Sequence, residues 1–303
     1  MQTMTPALID AYHTCELLTV GRDGTPVAWP TVALRRPDGT IMISTSIGLP
    51  QKALNIRRDE RVALLFSDPT GSDLDAPDQV LVQGTAVCPD EIVTGPGPWA
   101  DLWLRVRERQ PSSNYHKMPG MRRLMDWYYM RLLITVTPSR VVTSPAWRPA
   151  PAAAPPVRQQ DASAYAQAVR RMPDFGGAVL CGYDDDGRPT MRRVHVSAAG
   201  GRFTVGQGLG QGLARGRASL LWHSHDDKLD SLKAFVVTGD LEDGVLTPDR
   251  YVSTADRMGP IAMIRMIREL RGTAQRYLDR RGLARPAIRW NEFAELEAGR
   301  LAR

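Results

Sequence analysis

Two stretches of this chain set out the same features in the same order. The stretch that opens ELLTV at residue 16 and the one that opens AVLCGY at residue 178 are both centred on Asp-Gly-x-Pro, DGTP at 23–26 and DGRP at 186–189. DGTIMIS is then matched by GGRFTVG, RVALLF by RASLLW, and VLVQGTAV by AFVVTGDL, which sets Gly84 against Gly239. Order kept over roughly 70 residues marks an internal duplication, and a duplicated chain is constrained to build one architecture twice.

Each copy has the signals of an antiparallel sheet. CELLTV is a strand, and Asp23-Gly24 after it is a hairpin turn, because a tight turn needs positive φ. VAWPTVALR, TIMIS, RVALLF, QVLVQGTAV and the long YYMRLLITVTPSRVV supply further strands. RVALLF is a continuous apolar run, which implies burial on both faces. Short strands at hairpin spacing predict a small antiparallel barrel rather than a parallel sheet. Helical spacing is expected at 4–13, in PQKALNIRRD, and at 98–110, 119–126 and 160–171.

The second copy is incomplete. Between FTVG and RASLLW it is about six residues shorter, and GQGLGQGLARG stands in place of the hydroxyl cluster and helix of the first copy. That glycine run precedes no clear helix and lacks a βαβ context, so it marks a shortened connection rather than a nucleotide loop. PAWRPAPAAAPPVR, 145–158, is a Pro/Ala-rich linker with an extended path. Residues 254–303 show apolar side chains three and four apart and predict helices. The expected organisation is therefore a barrel over 1–144, the linker over 145–158, and a degenerate barrel with a C-terminal helical extension over 159–303.

Composition excludes several classes. Of the 39 basic residues only four are lysine, the formal charge is +6 and the pI about 9.5. The arginines are spread out and mixed with acids, as in RRDER, which argues for solvated surface and against a nucleic-acid track. Cys15, Cys88 and Cys181 are far apart, form no CxxC, and are expected as buried free thiols. No basic and apolar leader opens the sequence and no run is long enough to span a bilayer, so a cytoplasmic protein without a membrane partner is expected.

The scarcity of lysine draws attention to Lys52. It follows Ser44, Thr45 and Ser46 at a strand end, then a loop with Gly48 and Pro50, near the start of a helix. Hydroxyls, backbone N–H groups and a compact ammonium make a place for a phosphate. The same residues also read as a capped helix with a solvated lysine.

Several of these pieces resemble the pyridoxamine 5′-phosphate oxidase-like split β-barrel family over residues 12 to about 142. PTVALR at 30–35 is similar to the family's RxVLLK strand, STSIGLPQK at 44–52 to its phosphate loop, and RRDERVALLF to its NPxAALLF strand. QVLVQG at 79–84 is similar to RQVRVEG, and MRLLITVTPSRVV to the closing strand. The resemblance implies an α+β fold, mainly β with flanking helices: two tandem split β-barrel (FMN-binding) domains, the second degenerate, plus C-terminal helices. It implies that Lys52 contacts a cofactor phosphate with Ser44, Thr45 and Ser46, that Thr31, Val32 and Ala33 line the isoalloxazine, and that Gln79 lies near the ring or ribityl chain. Pro30 and Asp78 stand where the oxidase has arginines, so its substrate is not implied. The implied activity is hydride transfer between FMN and a small-molecule substrate. The alternatives are a deazaflavin (coenzyme F-420) reductase, or a non-catalytic flavin or haem protein with His13, His116 or His195 as the haem-side histidine.

Family members pair with the cofactor between barrels, and a tandem chain implies that pair as an intramolecular pseudo-dimer, with a further homodimer open. Arg192, Arg193 and His195 are then candidates for the second-copy wall of the site; the same strand also reads as one with its polar face in water. His223 and His225 would share a strand face, yet no third metal ligand accompanies them, so a hairpin end is the expected reading. Tyr115, His116 and Lys117 lie in a polar loop that could form a lid.

Overall fold

The computed structural model describes residues 4–111, 114, 117, 120–150, 154–206, 213–253 and 260–299. The first seven strands are β1 (Cys15–Val20), β2 (Pro26–Thr31), β3 (Ala33–Arg35), β4 (Ile41–Ser46), β5 (Arg61–Phe66), β6 (Gln79–Val87) and β7 (Arg131–Ser144). They form one antiparallel sheet in the order β2-β1-β5-β6-β7-β4-β3. The next seven are β8 (Ala178–Tyr183), β9 (Pro189–Val194), β10 (Val196–Ala199), β11 (Arg202–Val205), β12 (Gly216–Ser224), β13 (Lys233–Glu242) and β14 (Val245–Ser253). Their order, β9-β8-β12-β13-β14-β11-β10, repeats the first strand for strand.

Each sheet is a split barrel. β2 and β3 sit at opposite edges of the first sheet, yet only Val32 separates them in sequence. VAWPTVALR is thus one strand with a bend, and it joins the two edges. His195 occupies the same bend between β9 and β10. The two Asp-Gly turns also repeat, with Gly24 at φ +78° and Gly187 at φ +72°.

A second repeated device lies opposite Gly84 and Gly239. The β6–β7 ladder slips register between Gln83 and Gly84, and the β13–β14 ladder slips between Thr238 and Gly239. The facing strands carry Thr137-Pro138 and Thr247-Pro248 at these places. A Cβ on Gly84 would stand 2.2 Å from the Thr137 carbonyl oxygen, and one on Gly239 would stand 2.1 Å from that of Thr247. Backbone is the obstacle in both cases, so only glycine fits.

Inside each barrel, alternate side chains form a core. Leu17, Ile43, Leu64, Val82 and Ile134 fill the first, and Leu180, Phe203, Leu220, Trp222 and Val237 the second. The intervening residues point outward and are also buried. Leu18, Ala63 and Leu65 meet Val179, Cys181, Leu221 and Val236 in one cluster, with Ala28 and Met191 on the flanking strands. The halves therefore pack sheet to sheet, and the continuous apolar runs are explained by burial on two sides. All three cysteines are buried free thiols. Polar contacts across the interface come in related pairs. Arg61 of β5 donates to the Gly187 carbonyl at 3.0 Å, and Arg217 of β12 donates to Thr25 Oγ1 at 3.0 Å.

Helices break the symmetry. α1 (Met4–Ala11), α2 (Gln51–Ile56) and α6 (Ala164–Arg171) cover the barrels. Between β6 and β7 the chain inserts α3 (Ala100–Arg109), α4 (Met121–Leu124) and α5 (Asp126–Tyr129), where β13 and β14 are joined by a turn at Asp243-Gly244. α7 (Pro260–Asp279) and α8 (Trp290–Glu297) follow the second sheet in sequence but pack on the first half in space. Ala274, Tyr277 and Leu278 enter the first core, and Phe293 and Leu296 join Trp99, Trp103 and Tyr129.

Gly84→Ala and Gly239→Ala are each expected to lower stability by about 1–3 kcal/mol in urea unfolding, since each forces backbone apart. Gly97→Ala, where a Cβ meets nothing within 4 Å, is the control and is expected to stay within about 0.5 kcal/mol of the parent.

Candidate cofactor site

A cleft of about 170 Å³ opens where the β2–β3 bend of the first half meets the second half. Pro30, Thr31 and Val32 form one side, Ser44 of β4 the floor, and Val106, Gln110 and Tyr128 of the inserted helices another wall. The second half contributes Leu229 and Leu232 from the β12–β13 loop. Gln110 Nε2 donates to the Leu229 carbonyl at 3.3 Å and ties that loop down. Leu229 has φ +53°, a left-handed conformation that a leucine rarely adopts.

One cation, Arg131, lines this cleft, and a second, Lys52, lies behind Pro30. Lys52 Nζ makes a long 3.5 Å contact with the Pro30 carbonyl. Burial around the ammonium, aided by the neighbouring Arg131 charge, pushes its pKa from 10.5 down to about 8. Arg131, the first residue of β7, lines the cleft, and burial lowers its pKa too. Its guanidinium lies over the rings of Tyr128 (4.7 Å) and Trp99 (5.2 Å) and donates to the Tyr128 carbonyl at 3.3 Å, while its buried Nε has no hydrogen-bond partner. Among the described residues, no carboxylate pairs with either cation. A half-buried ammonium and a buried guanidinium, neither with a carboxylate partner, stand near the Ser44 hydroxyl, and such a set is chemically suited to an anion. Nothing in the sequence singled out Arg131 except its position, one charge ahead of an apolar run.

The other expected residues are dispersed. Of the hydroxyl cluster, Ser44 faces the cleft. Thr45 Oγ1 donates to the Leu49 carbonyl at 2.8 Å, and Ser46 Oγ accepts from the Gly48 amide at 2.9 Å, so both shape the loop. Ala33 is packed in the barrel core. Gln79 donates to the Pro145 carbonyl at 2.9 Å and anchors the start of the linker. Arg192 is half-buried on β9, and His195 stacks on Trp147 at 4.3 Å. None of these four lines the cleft. Tyr115 and His116 lie outside the described residues; Lys117 forms a 2.7 Å ion pair with Glu297.

Arg193 crosses the interface instead. It donates to Glu16 Oε1 at 2.8 Å and to Ser67 Oγ at 2.9 Å, and lies 2.9 Å from His223 Nε2 and 3.6 Å from Asp68. His223 Nε2 is also 2.7 Å from Glu16, and His225 Nε2 is 3.1 Å from Thr14 Oγ1 and 3.7 Å from Asp68. Burial would raise the Glu16 carboxyl, but Arg193 and His223 outweigh it and hold the pKa below the usual range. Asp68 is held at about 2: burial opposes, and Arg193, His223 and His225 prevail. The two histidines belong to this ionic network, and no metal-binding group of three or more ligands occurs among the described residues. A larger depression of about 380 Å³ beside α2 is lined by Arg57, Arg58 and Glu60; Arg57 is bound to the Cys88 carbonyl and Asp90, and Arg58 to Asn55.

No protein-family model and no curated protein matches the chain. Solved structures that match include a Listeria innocua protein provisionally assigned as a pyridoxamine 5′-phosphate oxidase, 17% identical over 46% of this chain and 94% of that one, with a TM-score of 0.33. An F420 reductase matches at 21% identity, 45% and 94% coverage and a TM-score of 0.31. A FAD-binding protein from Mesorhizobium loti matches at 14%, 47% and 93%, with a TM-score of 0.33. The match to a protein of unknown function from Agrobacterium tumefaciens, at 21% identity and a TM-score of 0.33, covers 45% of this chain and only 53% of that protein.

Lys52 binds its proton less tightly folded than unfolded, so the unfolded chain holds more protons between about pH 8 and 10.5 and stability rises with pH there. Lys52→Met is therefore expected to stabilise the ligand-free protein by about 1–3 kcal/mol at pH 7, a gain that fades as pH rises through that window, measured by urea unfolding. Arg193→Met strands Glu16 in the interface and is expected to cost about 3–5 kcal/mol at pH 7. The depressed carboxyls Glu16 and Asp68 contribute stability above their unfolded pKa and lose it as pH falls through the folded values. A thermal-melting series from pH 7 to about pH 2 is expected to show a shallower acid decline in the variant.

Proposed function

We propose that the chain is a flavin-type oxidoreductase that carries out hydride transfer with a small-molecule substrate, and that it holds FMN in the cleft. The observation that carries this reading is that Arg131, buried and without a carboxylate partner, lines the cleft with Ser44 and an apolar wall, while the half-buried Lys52 reaches the carbonyl of the cleft residue Pro30. The cations and the hydroxyl suit a phosphate, and the Thr31–Val32 strand with Leu229 and Leu232 suits a planar ring. The cleft is smaller than the roughly 300–1,000 Å³ of sites that enclose a whole drug-sized ligand. It suits one end of such a molecule, with the rest in the open mouth.

When bound, the flavin would supply the hydride chemistry. The chain's part would be to neutralise the phosphate, orient the ring edge along β2–β3 and exclude water with the Leu229 loop. We further propose that the sheet-to-sheet packing makes the chain its own dimer, with one half supplying the anion site and the other the opposite wall. Among the described cleft-lining residues none is a histidine, which favours a flavin over haem. Among the described residues no helix is long and apolar enough to cross a membrane.

The test is titration of the purified protein with FMN and with the deazaflavin coenzyme F-420, after denaturing a sample to identify any pigment it carries. FMN is expected to bind, and Lys52→Ala or Arg131→Gln is expected to weaken it at least about tenfold, equivalent to one charge-assisted hydrogen bond. Tighter binding of F-420 would move the cofactor assignment to the deazaflavin. A Soret band, or FMN affinity untouched by both substitutions, would overturn the reading.

A further inference from the structure

The register that aligns Gly24 with Gly187 also aligns Thr14 with Gly177 and Val32 with His195. Thr14 and Val32 both line the first-half cleft. Their counterparts both touch one side chain, Trp147 of the linker. The indole lies on the His195 imidazole with ring centroids 4.3 Å apart and planes 31° apart. A Cβ on Gly177 would meet Trp147 Cζ2 at 2.5 Å, so the threonine of the first copy has no room here. The chain continues along the same surface. Pro149 would meet a Cβ on Gly176 at 2.5 Å, and the Ala150 amide donates to the Gly176 carbonyl at 2.9 Å. Gln79, which holds the Pro145 carbonyl, fixes where the linker sets out.

We infer that the second half retains a ring-binding site at the β9–β10 bend, for a planar aromatic group without a phosphate, and that the chain fills it from its own linker with Trp147. The chemistry of the position selects that class. Gly206 stands in the place of Ser44, no lysine follows it as Lys52 follows Ser44, and the inserted helices that carry Tyr128 and lead to Arg131 have no counterpart between β13 and β14. What remains is a flat imidazole, a floor of two glycines and the edge of a strand, which suit stacking rather than charge. The inference rests on reading the first cleft as a ring site, and it sets the stoichiometry of that reading at one ligand per chain.

Equilibrium dialysis with FMN and with lumiflavin, the ring without the phosphate, tests it on the native chain and on Trp147→Gly. The native chain is expected to take one FMN and no ring at a second position; Trp147→Gly is expected to bind one additional lumiflavin per chain. A native chain that binds two rings, or a folded Trp147→Gly that gains none, overturns the inference. A native chain that binds no FMN while Trp147→Gly still gains a lumiflavin would overturn the first-cleft reading and leave this one standing. Hydrogen exchange on the native chain decides the matter independently of the variant's folding. The Ala150 amide is expected to exchange at least about 100-fold more slowly than in a free peptide; exchange at the free-peptide rate would mean that the segment is not seated.

Discussion

Everything in this molecule depends on sheets that are apolar on both faces. β1, β5, β8 and β12 send alternate side chains into a barrel and the remainder into the partner sheet. Neither half can expose its second face to water without leaving a contiguous apolar patch of the kind that soluble monomers avoid. The pairing of the halves therefore covers the second apolar face of each. The cleft inherits its geometry from that pairing, because its floor belongs to one sheet and the Leu229–Leu232 wall to a loop of the other.

Within this apolar contact the polar groups set register. Arg193 donates to Glu16 and Ser67 and lies against Nε2 of the His223 ring, and all of these are buried. Such a network adds little net stability compared with a well-packed apolar alternative. It does penalise any sliding of one sheet on the other, since a shift would strand a carboxylate. The pair at the other related position is Pro30 with Val179, which cannot form an ionic contact. The symmetry of the backbone is thus broken chemically twice, once by this network and once by the cations of the cleft.

Much of the fold was legible from residues. The Asp-Gly turns, the alternation within strands and the match of Gly84 to Gly239 are local signals, and they set both the strands and the repeat. Lys52 drew attention in the sequence because the chain uses so few lysines. Arg131 did not, because an arginine at a strand end ordinarily faces water, and only the tertiary stacking of Tyr128 and Trp99 draws it inside. Thr45 and Ser46 show the converse. Three successive hydroxyls look alike in sequence, but the turn that follows the strand brings the Leu49 carbonyl and the Gly48 amide within reach of the last two, which those groups claim. The amphipathic pattern of α7 and α8 shows that one face is buried but carries no information about which half receives it.

That last placement bears on how the chain is made. Leu278 and Phe293 are fully buried against the first half, although the linker and the whole second sheet, roughly 110 residues, lie between β7 and the helices that carry them. The first barrel emerges from the ribosome before the second, yet the helices of its outer layer are synthesised after the second sheet. During translation it would have to wait, with Tyr129 and Trp103 lacking their cover, until the second barrel has formed and the closing helices arrive. The order of synthesis and the order of completion run in opposite directions, and the two halves mature as one unit rather than as beads on a string.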